Sequence, residues 1–206
     1  MDDVRDLKEL QLDALREVAN IGAGHAATAL SQMTDRRIMI SVPEINISRL
    51  EDVAETVGDP EGVVAAVLMH MLGDLTGRTL LLLPEDNARL LCDLLLRRTP
   101  GTTTSFDELE RSSLKEAGNI LGGAYMNALS EFMGMMLLPS VPSFVLDLSA
   151  AVITTAYLNF GHDRDFVFCV ETNFQFEEAN RGLEGHFLLL PDLASLKAIF
   201  DAIRLT

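Results

Sequence analysis

LDALREVANIGAGHAATALS, residues 12–31, returns as RSSLKEAGNILGGAYMNALS, residues 111–130. With Asn20 set on Asn119, an offset of 99 residues, eight pairs are identical: Leu15/Leu114, Glu17/Glu116, Asn20/Asn119, Ile21/Ile120, Gly24/Gly123, Ala29/Ala128, Leu30/Leu129 and Ser31/Ser130. The same register carries Ser41-Val42-Pro43 onto Ser140-Val141-Pro142 without a gap. Further on, LLLLPEDNARLLCDLLL (80–96) is echoed by FLLLPDLASLKAIFDAI (187–203) at an offset of 107. The chain therefore reads as a tandem duplication, one domain over 1–206 built from repeats of about 1–100 and 101–206.

Each copy of the opening stretch has helical periodicity. At about 100° per residue, Leu12, Leu15, Ala19, Ala23, Ala26, Leu30 and Met33 fall in one apolar stripe, as do Leu114, Gly118, Gly122, Tyr125, Leu129 and Phe132. Within the first copy, G-x-G-x-x-A (Gly22 to Ala27) mimics a dinucleotide-binding turn. Such a turn must follow a buried strand and open a helix, so that the pyrophosphate meets free backbone amides. Here the glycines lie inside a helix already under way, and the second copy reads L-G-G-A-Y.

Downstream of each long helix come β-rich runs: GVVAAVLMHML, GRTLLLL, DFVFCVETNFQF and GHFLLL. A shorter helix closes each repeat; Pro84 with Glu85 and Asp86 marks the start of the first, Arg97, Arg98 and Pro100 its end. Ser105 and Glu108 have capping-box spacing ahead of the second long helix, and PGTTT (100–104) links the repeats. The expected fold is α+β: a pseudo-twofold duplication with a long antiparallel or mixed sheet, on which two long and two shorter helices pack.

Composition narrows the partners. The formal charge is −15 and the pI about 4.5, which disfavours a nucleic-acid backbone or insertion at an anionic membrane. Cys92 and Cys169 sit in apolar runs and suit free thiols in a reducing compartment. No apolar run is long enough to span a bilayer and the N-terminus is charged, so the chain reads as soluble, unprocessed and cytoplasmic. The clustered methionines, MHM and FMGMM, read as core filling.

A second side of each long helix carries Asp13, Glu17, Asn20 and Gly24, matched by Ser112, Glu116, Asn119 and Gly123. A solvated face drifts, because surface substitutions cost within about half a kcal/mol. Retention of Glu, Asn and Gly in both copies implies that this face touches something. Glu and Asn three residues apart lie one turn from each other, offering an anion that can grip a cation and an amide that can orient a water. The glycine one turn on leaves the surface low. His25, beside this set, has Ala124 as its counterpart, and His70, His162 and His186 are scattered.

With E-x-x-N-I-x-x-G in two copies, preceded four residues earlier by Asp13 or Ser112, the sequence resembles the CheC/CheX/FliY family of chemotaxis phosphatases, whose signature is [D/S]-x3-E-x2-N. That resemblance extends over essentially the whole chain. It implies hydrolysis of the aspartyl phosphate on phosphorylated CheY, with Asn20 and Asn119 orienting the attacking water and Glu17 and Glu116 engaging a lysine of the regulator. It also implies that the chain has no cofactor or metal of its own, any Mg²⁺ belonging to the regulator, and that it works as a monomer. The receptor deamidase CheD is a further implied partner, and a non-catalytic CheD adaptor is the competing reading.

Overall fold

A computed structural model describes residues 9–49, 59–158, 166–176 and 185–204. The elements in chain order are α1 (Glu9–Thr34), β1 (Ile38–Ile40), β2 (Glu44–Arg49), β3 (Val63–Gly73), β4 (Gly77–Pro84), α2 (Glu85–Leu95), α3 (Glu108–Met133), β5 (Leu137–Pro139), β6 (Ser143–Leu148), α4 (Ser149–Leu158), β7 (Phe166–Phe176), β8 (His186–Pro191) and α5 (Leu193–Arg204). The four long apolar runs are β3, β4, β7 and β8, as their composition predicts. The short strands β1, β2, β5 and β6 and the helix α4 go beyond the sequence reading.

The strands form one eight-stranded sheet in the order β1-β7-β8-β4-β3-β5, with β2 also on β7 and β6 also on β3. Exchanging the repeats turns this order into its own reverse, which is the pseudo-twofold made visible. Among the described residues every strand pair is antiparallel. The repeats are interleaved: β1 and β2 of the first pair with β7 of the second, while β5 and β6 of the second pair with β3 of the first. The central joint is β4 on β8, running from Gly77↔Pro191 to Leu82↔His186.

Period-two alternation divides the sheet's side chains between two cores. Ala65, Val67, Leu81, Leu83, Phe187 and Leu189 face the long helices. Val64, Ala66, Leu80, Leu82, Leu188 and Leu190 face α4, through Val152, Ile153 and Ala156. Cover on both faces explains why β4 reads as a continuous leucine run rather than as an alternation. Arg78, buried in β4, donates to the carbonyls of Thr155 and Ala156 and so satisfies the end of α4.

The predicted core stripes are buried at Leu15, Ala19, Ala23, Ala26 and Leu30, and at Leu114, Tyr125 and Leu129. Met33 is half-buried, and the side chain of Leu12 lies outside the described residues. Phe132 departs from the stripe, being 37% exposed; in that last turn the core contact passes to Met133. The methionines divide likewise: Met69 and Met71 are core, but Met136 is exposed.

Helix ends follow local chemistry with one correction. Pro84 precedes α2, whose first turn carries Glu85 and Asp86. The N-cap position of α3, however, is Asp107 and not Ser105, and no side chain caps it. Phe106, buried and tilted against Phe144 at 5.6 Å, anchors the entry, and the hydroxyl of Ser105 is turned to the Asp107 carboxylate at 3.2 Å. The linker is held tightly: buried Asp93 of α2 accepts from the backbone N–H of Gly101, Thr102 and Thr103 and from the Thr103 hydroxyl, at 2.6–3.0 Å. Beside it Arg98 pairs with buried Glu110 at 2.6 Å. Cys92 is a free, buried thiol pushed up to about 11 by burial; the Cys169 side chain lies outside the described residues.

Candidate functional site

Structural causes account for half of the eight repeated identities in the long helices. Leu15/Leu114 and Leu30/Leu129 are buried core. Ala128 is buried and Ala29 half-buried. Ser31 and Ser130 end the helices alike: the carbonyl of Ser31 accepts from Arg36 N–H and that of Ser130 from Met135 N–H, each at 3.2 Å. The Ser31 hydroxyl also accepts from Ile38 N–H at 3.0 Å. What remains is Glu17/Glu116, Asn20/Asn119, Ile21/Ile120 and Gly24/Gly123.

In the first repeat these residues occupy the side of the helix opposite the core, whereas Ile120 of the second is half-buried and packs against it. Asp13, Glu17, Asn20, Ile21 and Gly24 fall within an arc of roughly 100°, about half a turn from the Leu15–Ala26 stripe. Asp13, Glu17, Asn20 and Gly24 are exposed, as are Ser112 and Glu116, while Asn119 and Gly123 are half-buried. The residues singled out from periodicity therefore do face outward, and each group of four stands on one helix. Among the described residues the Glu17, Asn20, Glu116 and Asn119 side chains make no intramolecular hydrogen bond or ion pair. Asp13 pairs with Arg16 at 2.8 Å, both exposed; Ser112 offers no carboxylate to Lys115, so the two faces differ by one charge.

The glycines separate into two kinds. A Cβ on Gly22 would come within 3.0 Å of Tyr125 Cδ1, one on Gly118 within 2.6 Å of Val67 Cγ1, and one on Gly122 within 2.3 Å of Met69 Cε. Those three glycines let α1, α3 and β3 pack closely. A Cβ on Gly24 or Gly123 would meet nothing within 4 Å. Close packing is thus excluded as the reason for the two repeated glycines, although each weakens its helix by about 1 kcal/mol relative to alanine.

The arrangement can therefore present a carboxylate and a carboxamide, one turn apart and unengaged, above a rigid two-helix layer. It offers charge and hydrogen bonds to a group on another molecule. Sequence reasoning passed over Ile21, which is 44% exposed; its signal was identity with Ile120 outside the core stripe. Val42 and Val141, in the repeated S-V-P corners, are also exposed.

The CheC-like family model matches residues 10–47 and 109–146, the helix and two short strands that open each repeat. The CheY-P phosphatase CheC of Bacillus subtilis (strain 168) is 33% identical over 199 residues, 96% of this chain and 95% of that one. The chain belongs to the CheC-like family. Among solved structures, FliY of Thermotoga maritima superposes with a TM-score of 0.76 at 23% identity, covering 97% of this chain and 98% of that one. A complex of CheX with CheY, BeF3 and Mg from Borrelia burgdorferi matches with a TM-score of 0.53 at 16% identity, over 83% of this chain and 96% of that one. This CheC-like chain thus carries its family-matched segments twice, each with a Glu, an Asn and a Gly on the side of the helix away from the core. No described helix is long and apolar enough to cross a membrane.

Proposed function

We propose that this protein hydrolyses the aspartyl phosphate of a CheY-type response regulator at two pseudo-symmetric sites, Glu17/Asn20 and Glu116/Asn119. The observation that carries the reading is the unengaged Glu–Asn pair on the outward side of both long helices. Asn20 or Asn119 would hold the attacking water in line with the phosphorus through its carboxamide. A single amide is enough for that task, because phosphoryl transfer depends mainly on positioning and charge compensation. Glu17 or Glu116 would grip a cationic side chain of the regulator and so set the reach of the asparagine. Charge compensation at the phosphoryl group, including any Mg²⁺, is the regulator's own. The B. subtilis relative's name and the relative captured with CheY support this partner. Each site stands complete on one helix, which suits a cytoplasmic monomer.

The test is a dephosphorylation time course on the phosphorylated regulator. Asn20→Ala with Asn119→Ala should remove the acceleration while leaving the circular dichroism spectrum unchanged, since neither side chain has a partner among the described residues; each single variant should keep part of it. An undiminished rate in the double variant refutes the reading. No acceleration by the unmodified protein would leave a binding role alone, such as engagement of CheD.

A further inference from the structure

Ile21 has no structural reason to be isoleucine, nor have Gly24 and Gly123 to be glycine. Ile21 is 44% exposed and lies outside both cores, whereas its counterpart Ile120 is half-buried and packs against the helix-side core. Gly24 and Gly123 have open space where a side chain would stand. A chain under folding pressure alone would hold alanine at the glycines, where it would fit and strengthen the helix, and a polar residue at the isoleucine. Both choices make sense if a surface comes down close to the backbone there.

We infer that Ile21–Gly24 forms an apolar docking step that seats the regulator surface bordering its phosphorylated aspartate at the first site, and so sets affinity rather than the chemical step. The inference rests on the phosphatase reading of Glu17 and Asn20. Continuity identifies the occupant: Ile21 lies one turn beyond Glu17 and Gly24 one turn beyond Asn20 on the same arc, so whatever receives the Glu–Asn pair must lie over both. Glycine removes the side chain that would hold that surface off, and isoleucine supplies stiff apolar area with little rotamer freedom to lose. The Thr28 hydroxyl donates to the Gly24 carbonyl at 2.9 Å, which satisfies the backbone on the exposed side of the step. These are positioning residues; none touches the reacting atoms.

An Asn119→Ala chain, which retains only the first site, isolates the effect. Within it, Ile21→Ala should raise KM about five-fold, since roughly half of the side chain is left to be buried by a partner, with kcat within two-fold. Ile21→Leu should restore KM. Gly24→Leu should raise KM more than ten-fold. Gly24→Ala should raise the melting temperature by about 2–4 °C while weakening KM, an opposition that a structural role cannot produce. Affinity for beryllofluoride-loaded regulator, read by fluorescence anisotropy, should fall by the same factors, which tests the step independently of turnover. Unchanged KM and affinity in folded Ile21→Ala and Gly24→Leu proteins, or a fall in kcat alone, would overturn the inference. A parent chain without turnover whose affinity still falls on Ile21→Ala would refute the phosphatase reading and uphold the docking step.

Discussion

Gly118 stands between Glu116 and Asn119, and its replacement by alanine couples packing to the second site. The added Cβ would lie 2.6 Å from Val67 Cγ1 and 3.0 Å from Val67 Cβ, where carbon atoms in contact want about 3.5–4.0 Å. Relief requires a displacement of roughly 1 Å. Val67 cannot supply it by rotation, being β-branched and stiff, and its strand is clamped between β4 and β6 at Leu81 and Phe144. So α3 must lift. Overpacking costs about 1–3 kcal/mol and alanine returns about 1 kcal/mol of helix propensity, leaving a net loss of up to about 2 kcal/mol. For a chain of this size that lowers the melting temperature by up to about 8 °C. The lift also moves Glu116 and Asn119, and a misplacement of about 1 Å costs up to 10²-fold in a positioned reaction. Measured in an Asn20→Ala chain, where only the second site works, Gly118→Ala should therefore lose at least about ten-fold in dephosphorylation rate. A variant as stable as its parent and equally active at the second site would refute the reasoning. Counterpart Ala19 is buried in the core of the first repeat, so Ala19→Gly should cost about 2 kcal/mol, from helix propensity and the lost buried methyl together.

Asp93→Ala would remove the acceptor of three backbone donors and of the Thr103 hydroxyl, in a linker whose Thr103 is buried and whose Gly101 and Thr102 are exposed; we expect a loss of about 2–3 kcal/mol in urea unfolding, and a loss below about 1 kcal/mol would show that the linker re-pairs with water. Hydrogen bonding from Arg98 holds the Glu110 carboxyl below its usual 4.5. A depressed carboxyl contributes stability above its unfolded value and loses it as pH falls through the folded one. Glu110→Gln should accordingly cost about 1–3 kcal/mol at pH 7, and the gap should narrow as pH falls below 4.5; urea midpoints across the acid range against pH 7 decide it, a constant gap counting against the ion pair.

How far the sequence reaches depends on the range of the interaction. Helical period placed Leu15, Ala19 and Ala26 inward and Glu17 and Asn20 outward, because the angle between residues on one helix is a local property. The repeat register placed the second set of residues the same way, and with it the pseudo-twofold. Continuous apolar runs marked β3, β4, β7 and β8, since covered strands need no polar face. Short elements gave weaker signals: three-residue β1 and β5 carry less than two alternations, and α4 owes its place to a sheet face that only exists once both repeats are paired.

What the amino-acid sequence determined alone was thus the duplication, the two amphipathic helices and the outward direction of the Glu–Asn pairs. Tertiary structure decided that β1 and β2 cross to β7 of the other repeat, and that α4 covers the second face. It also decided that Gly118 and Gly122 are pressed against β3 while Gly24 and Gly123 open to solvent. All glycines look alike along a helix; only the atoms brought opposite them by pairing across fifty or more residues tell a close contact from empty space.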